Sequence, residues 1–346
     1  MSAAIYALAI LGLAILMVVH ECGHYFPARY FGMRVVRFSI GFGPTIAKHQ
    51  PKGSDTIYQI AIIPFLAYVQ IAGMNPYEDI DPKDKGSYAN ASLGARVATI
   101  AGGPLANYFF ASILMFFGFL LSGRLDIDET SMRVNVNPEG PAEISGIHDG
   151  DKFLEVNGSP VQSWDELKVA IAGKSGKIDI LVERDGQKMH FFPEPRPKGD
   201  KYEGKIEVGP YSQIVKVGPG ESVKLALIEP AAVVYGTVYG LVKLVTGKEK
   251  AELSGPVGIV KQAAGAVRSG AGDAFKFLGG LSAYLGAFNL LPIPALDGGR
   301  LLFLGIEAAS RRRPDAKIEA RVHAVGLLMM LTLIAVVTWT EIMPKH

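Results

Sequence analysis

An uncharged run that ends in two histidines and a glutamate constrains this chain more than any other feature. Ala3 to Val19 is 17 residues without a charge, the lower limit for a helix that spans a bilayer. His20, Glu21 and His24 follow at once. Ionisable side chains at membrane depth are expensive, about 2.5 to 3.5 kcal/mol for an Asp, Lys or Arg at the middle of a span. Three such residues in five positions need a compensating partner, and a metal ion is the most economical one. On a helix, residues four apart share a face, so both imidazoles can reach one ion. Glu21 stands beside the first of them, where its carboxylate can reach a metal-bound water. His-Glu-x-x-His is a zinc protease signature for that reason.

Hydrophobic residues make up 49% of the chain, and they are gathered in runs rather than spread as in a soluble domain. Val97 to Leu121 is uncharged for 25 residues. Phe277 to Leu296 is uncharged and contains Pro292 and Pro294. Val322 to Thr340 has only His323 as an ionisable residue, at its edge. Four membrane spans are expected, so the fold class is a polytopic α-helical membrane protein. The first run lacks a basic leader region and an Ala-x-Ala site, so it is expected to remain uncleaved. A net charge of +2 gives no reason to expect nucleic acid as a partner. The single cysteine, Cys22, excludes an internal disulfide and reads as a helix-filling residue.

Basic residues predict the orientation. Arg29, Arg34, Arg37 and Lys48 follow the first run, and Arg300, Arg311, Arg312, Arg313, Lys317 and Arg321 lie between the third and fourth. The positive-inside rule makes both segments cytoplasmic. Both termini and residues 123–275 then lie outside, in the periplasm or at the external face of a bacterium.

Between the first two spans, "IYQIAIIPFLAYVQIAGM", residues 57–74, is apolar, rich in Ile, Val and Tyr, and broken near Pro64. It is too short for two spans and reads as a membrane-associated β-hairpin. Strand edges do not survive in bare lipid, so it must pack on protein or line a cavity. In the outer stretch, "PAEISGIHDGDKFLEVNGSPVQSWDEL" and "KIDILVERDGQKMHFFP" combine a short helix start, a Gly-Asp turn, a short strand, an Asn-Gly turn and a second hairpin. This closely resembles a PDZ domain over residues 126–195. Such domains bind extended peptides by adding a strand to a sheet edge. A Pro-, Gly- and Lys-rich linker follows. Glu229 and Pro230 interrupt "ESVKLALIEPAAVVYGTVYGLVKLV", which reads as membrane-surface helices.

A catalytic zinc takes three protein ligands and keeps one position open. His148 and His190 fall in the outer module, His49 in the cytoplasmic segment, and His346 is the last residue. His323 remains open, at the cytoplasmic edge of the fourth run. Asp297 in "NLLPIPALDGGR" is the better candidate. It is a carboxylate at the end of the third run, at the same face as His24, and the two prolines prevent regular helix before it.

His20-Glu21-x-x-His24 early in the chain, with Asn289-x-x-Pro292-x-Pro294-x-Leu296-Asp297-Gly298 late, resembles the site-2 protease family of intramembrane zinc metalloproteases, M50. "AGGPLAN" at 101–107 and "LSGPVGI" at 253–259 match further elements of that family. The inserted PDZ-like module makes the chain similar to the bacterial RseP-type branch, which cuts anti-sigma factors. One module stands here where some members carry two. The resemblance implies Zn2+ held by His20, His24 and Asp297, with Glu21 as general base. It gives Asn289 a role in holding substrate backbone or an oxyanion, or in bonding the broken-helix backbone. Asn107 and Gly103 are expected to pack the second span on the first.

Proteases need extended substrate, so a strand edge beside the metal could hold an unwound segment. Ile60, Tyr68, Val69 and Ile71 are the candidate positions. The expected division is residues 1–30 for the first span, 31–95 for the cytoplasmic segment and 96–122 for the second span. The PDZ-like module takes 126–195, a linker 196–220 and surface helices 221–275. The third span takes 276–298, a cytoplasmic loop 299–320 and the fourth span 321–341. The expected activity is endopeptidase cleavage of single-span membrane proteins, such as anti-sigma factors or signal-peptide remnants, in a bacterial inner membrane. The expected partners are those substrates, a peptide tail at the outer module, and the lipid bilayer. Two other classes fit less well. A metal-binding scaffold has no use for Glu21, and a metal transporter leaves the outer module unexplained.

Overall fold

The computed structural model describes residues 3–63, 67–75, 77–78, 81–172, 174, 176–197, 204–247 and 254–343. They form two compact units, Met1–Ser122 with Val217–His346, and Gly123–Lys216.

In the first unit, helix α1 (Ala3–Tyr30) runs through the uncharged segment and the three polar residues after it. Pro27 lies in its last turns, and Gly32 at φ +78 follows its end. Four strands come next, β1 (Val35–Ile40), β2 (Phe42–His49), β3 (Ile57–Ile63) and β4 (Tyr68–Ile71). They form one sheet in the order β2-β3-β1-β4. β1 pairs parallel with β3 and antiparallel with β4. Two strands therefore lie within 57–74 as expected, β3 and β4, but they do not form a hairpin with each other. The hairpin of this sheet is β2–β3, joined through residues 50–56, and β1 lies between β3 and β4. β2 is exposed along its whole length, so no alternation marks it in the sequence. Gly41 at φ +93 makes the switch from β1 to β2, where a Cβ would stand 2.7 Å from the Ala61 carbonyl oxygen. The break expected near Pro64 lies outside the described residues.

Helix α2 (Leu93–Ser122) packs antiparallel on α1. The contact is backbone on backbone, because a Cβ on Gly23 would run into the Gly102 carbonyl and the reverse also holds. Small residues permit such an approach where lipid gives helices no hydrophobic reason to associate.

The second unit is α+β. It comprises β5 (Arg124–Asp128), β6 (Val134–Val136), α3 (Pro141–Ile144), β7 (Lys152–Val156), β8 (Ser159–Pro160), α4 (Trp164–Ile171), β9 (Ile180–Arg184), β10 (Gln187–Phe191) and β11 (Val208–Val215). The strands form a β10-β9-β7-β8 sheet and a β5-β11-β6 sheet around Phe153, Ile147, Leu167, Ile180 and Val182. The Gly-Asp turn of the sequence has a structural reason. Buried Asp151 accepts two bonds from Arg184, at 2.7 and 2.6 Å, and one from the His148 N–H. That carboxylate raises the Arg184 pKa. Ser163 caps α4 by accepting from the Glu166 N–H at 3.2 Å. The unit is larger than the expected 126–195, because β11 lies within the expected linker. Pro210, which looks like a strand breaker, sits where β11 changes partner from β6 to β5.

The first unit resumes with α5 (Pro219–Val245), α6 (Pro256–Ser269) and α7 (Ala271–Asn289). The surface helices expected over 221–275 are not broken at Glu229-Pro230. α5 is one helix through both residues, and its contacts with α2 and α7 offset the roughly 3 kcal/mol that an interior proline costs. Among the described residues, four helices are long and apolar enough to cross a membrane: α1, α2, α5 and the last helix, α9, described below. α7 is not among them, although it packs closely along α2. Its Gly272, Gly279 and Gly286, seven residues apart, meet Ser122, Met115 and the Pro104 carbonyl in turn. The two helices are therefore antiparallel, and α7 ends near the residues of α2 that face His20.

After α7 the chain turns sharply over 290–296 and enters α8 (Asp297–Ser310). The expected loop 299–320 is thus largely helix, ended by Arg311 in the left-handed region. Helix α9 (Ala316–Ile342) follows. No residue of α9 is buried, despite its apolar composition.

Candidate metal centre

Three donor atoms converge at the α1–α2–α8 junction. His20 Nε2 and His24 Nε2 are 3.2 Å apart. Asp297 Oδ2 lies 3.1 Å from the first and 3.3 Å from the second. Tetrahedral zinc with bonds of about 2.0 Å has ligand–ligand edges of about 3.3 Å, so the triangle has the right size. Among the described residues it is the one such group of His, Cys, Asp and Glu donors. Asp297 Oδ2 is buried without a hydrogen-bond partner. A buried carboxylate oxygen in that state is costly unless a cation satisfies it. The chemistry and spacing of the donors fit Zn2+.

The sequence delivers each donor by a separate device. His20 and His24 sit one turn apart on α1, with ring centroids 4.8 Å apart. Asp297 opens α8, where the helix N-terminus favours a negative charge. Gly298 and Gly299 let the carbonyls of Leu290, Leu291 and Ile293 lie against the helix start, leaving no space for a Cβ. The turn therefore folds tightly back on α8 and fixes the position of Asp297.

The imidazoles are oriented from α2. His24 Nδ1 donates to the Thr99 carbonyl oxygen at 2.9 Å. A carbonyl only accepts, so Nδ1 carries the proton and Nε2 presents a lone pair. Gly103, one turn beyond Thr99, clears the approach. A Cβ there would overlap His24 Nε2 and Cε1 and reach 3.0 Å from His20 Cε1. His20 Nδ1 lies 3.3 Å from Asn107 Nδ2, while Asn107 Oδ1 is buried without a partner. Turning the amide over gives Oδ1 the ring N–H and leaves the His20 Nε2 lone pair facing Asp297. Both Nε2 lone pairs then point at one spot, an arrangement that repels itself without a cation.

Glu21 interacts electrostatically with His20, His24 and Asp297, and its carboxylate is close enough to interact with the backbone of Val69 on β4. Asn289 is the last residue of α7 and is half-buried. No hydrogen bond ties its amide to the three donors. His323 is outside the cluster, and its Nδ1 accepts from the Ala295 N–H.

The four strand positions separate. Ile60 belongs to β3, paired on both sides with Ile40 and Ala47. Its backbone is not available to a substrate, contrary to the expectation for it. It lines instead an apolar groove of about 630 Å³ with Cys22 and Tyr25. Tyr68, Val69 and Ile71 belong to β4, at the sheet edge. A groove of about 430 Å³ runs along β4 and is also lined by Arg300 of α8.

Sequence reasoning missed Thr99, whose contribution is a backbone carbonyl and leaves no trace in residue type. It read Asn107 as packing. A buried amide in an otherwise apolar run was the available signal.

Residues 8–333 match the profile of peptidase family M50. The chain is 29% identical to the zinc metalloprotease RasP of Geobacillus kaustophilus, over 94% of this chain and 95% of that one. It is 33% identical to a protein of Nostoc sp. with a provisional zinc-metalloprotease name, over 94% of this chain and 92% of that one. A similarly named protein of Rhizobium meliloti is 29% identical over 95% and 94%.

Proposed function

The chain belongs to peptidase family M50, and on that premise we propose that His20, His24 and Asp297 hold the zinc, with Glu21 as the proton carrier. The protein is a multi-pass membrane protein and a zinc-dependent intramembrane protease. The observation that carries the residue assignment is the triangle of two Nε2 atoms and Oδ2, with Glu21 beside it.

Zinc bound there supplies Lewis acidity toward water and the scissile carbonyl. Glu21 takes the proton of the attacking water and delivers it to the leaving amine. Thr99 and Asn107 keep the two rings in the orientation that this needs. We assign Asn289, whose amide makes no bond to the cluster, the donor role toward the developing oxyanion. β4 offers its outer edge to an unwound peptide, in the groove between Tyr68 and Arg300. A helical peptide bond is wrapped by its own turn, so strand pairing both holds and exposes it.

The substrates we propose are the transmembrane segments of single-span proteins, such as anti-sigma factors or signal-peptide remnants. The exposed apolar surface of α9 supports a location within the bilayer, which we take to be a bacterial inner membrane. The basic residues after α1 and around α8 support a cytoplasmic-side site and an outer Gly123–Lys216 unit. We assign that unit as PDZ-type. A groove of about 980 Å³ between α4 and residues 204–210 has the strand-beside-helix form that accepts an extended peptide tail.

The test uses purified protein, the E21Q and D297A variants, and a single-span substrate in detergent or vesicles. Unmodified protein binds zinc and cleaves. E21Q binds zinc and does not cleave, and D297A loses zinc. Cleavage by E21Q, or full zinc retention by D297A, sinks the assignment.

A further inference from the structure

We infer that His323 is a positioning residue for Asp297, acting through the turn that carries it; this rests on Asp297 being a zinc ligand. The turn 290–296 holds Ala295 at φ +76. That left-handed conformation is unfavourable for any residue with a Cβ and persists only where its surroundings enforce it. The Ala295 N–H donates to His323 Nδ1 at 2.9 Å. A backbone N–H cannot accept, so the His323 ring is neutral at Nδ1 and carries its proton on Nε2. Nε2 is buried and has no hydrogen-bond partner among the described residues. The ring is therefore held in place for its Nδ1 acceptor, at the expense of its other nitrogen.

A second contact on the same face of α9 supports the assignment. Gly326, one turn beyond His323, lies against Pro294, and a Cβ there would come 2.8 Å from the Pro294 carbonyl oxygen. His323 Cε1 also lies 3.1 Å from where a Cβ on Gly299 would be. The ring thus touches Ala295 before Asp297 and Gly299 after it. α9 seats the turn by a hydrogen bond at one residue and close packing at the next. This accounts for the one ionisable residue in the run Val322–Thr340, which is not a member of the metal cluster.

The experiment compares unmodified full-length protein with H323L, H323N, A295G/H323L and D297A. Zinc affinity is measured by chelator competition, the ligand field by visible absorption of the cobalt-substituted protein, and kcat and KM on a single-span substrate. H323L is expected to weaken zinc binding by about tenfold or more, as loss of a partner that orients a ligand does. It should shift the cobalt spectrum and lower kcat with little change in KM. H323N should restore zinc affinity, because the Asn Oδ1 can take the place of Nδ1 as acceptor. A295G/H323L should recover part of the loss, because glycine adopts positive φ without a clamp. Unmodified zinc affinity and kcat in H323L overturn the inference. So does an equal loss in H323L and H323N with no recovery in A295G/H323L, which would mean that only the bulk of the ring matters. Should H323L fail to accumulate, H323N and A295G/H323L decide together: accumulation and near-full zinc affinity of H323N, with A295G restoring accumulation to the H323L chain, support the role, and a loss of about tenfold in H323N overturns it. D297A separates the two levels, since full zinc affinity in D297A would remove the ligand assignment itself.

Discussion

His24 Nδ1 donates to the Thr99 carbonyl oxygen at 2.9 Å, so a backbone atom on α2 decides which nitrogen of a side chain on α1 faces Asp297. The arrangement depends on the bare backbone at Gly103. No other residue type lets α2 approach the two rings closely enough for that carbonyl to be reached.

The first prediction follows from that approach. G103A places a methyl group where the His24 ring lies. It should lower zinc affinity by about 10- to 100-fold, the range for disturbed ligand orientation. G94A is the control, because a Cβ on Gly94 meets nothing within 4 Å. Chelator competition on both variants checks it. Equal affinities in G103A and unmodified protein would show that α2 does not set the ring positions.

Asn107 offers a sharper test of the same shell. If its amide oxygen accepts from His20 Nδ1–H, an Asp carboxylate can replace it and an Ala cannot. N107A should bind zinc about tenfold more weakly, and N107D at least as tightly as unmodified protein. The reverse order would mean that the amide donates to His20 and that the ring binds metal in another tautomer.

The sequence made the ends of this site legible and hid its middle. His20, Glu21, His24 and Asp297 stand out because ionisable residues beside apolar runs are costly and need a reason. The sheet was harder. β2 is exposed on every residue, so hydrophobic alternation does not mark it, and without β2 the sequence offers β3 and β4 only each other as partners. β11 was hidden by Pro210, and the continuity of α5 by Glu229-Pro230. In each case tertiary packing overrode a local signal. The Thr99 carbonyl left no signal, because a backbone contact does not depend on residue type.

The Gly123–Lys216 unit carries its own test. Asp151 is 2% exposed and holds Arg184, which also donates to the Gly146 carbonyl oxygen. D151A leaves the half-buried Arg184 and the His148 N–H without their acceptor and should destabilise the unit by about 2 kcal/mol. Proteolysis of the full-length protein across a urea series should show this unit opening at lower urea. Zinc content should be unchanged, since both residues lie outside the metal cluster.

The last prediction concerns β4. It pairs with β1 through Ser39↔Tyr68, Phe38↔Val69 and Arg37↔Gln70. Successive N–H groups of an edge strand point alternately to the neighbour and to open space. Proline removes one N–H, so V69P and Q70P should differ. One of them breaks the pairing with β1. The other removes a donor that an incoming peptide would use, and a net hydrogen bond is worth about 1 kcal/mol; at Val69 it also removes the backbone group that faces Glu21, so Q70P is the cleaner reading of strand addition where its N–H is the outward one. That variant should keep its zinc and lose cleavage by about fivefold or more. I60P is the contrast. Ile60 lies on β3, with a strand on each side, so it should impair folding and zinc retention together. Zinc content and single-turnover cleavage on the three proteins check this. Full cleavage by both β4 variants would exclude strand addition at this edge and turn attention to the groove that Ile60 shares with Cys22 and Tyr25.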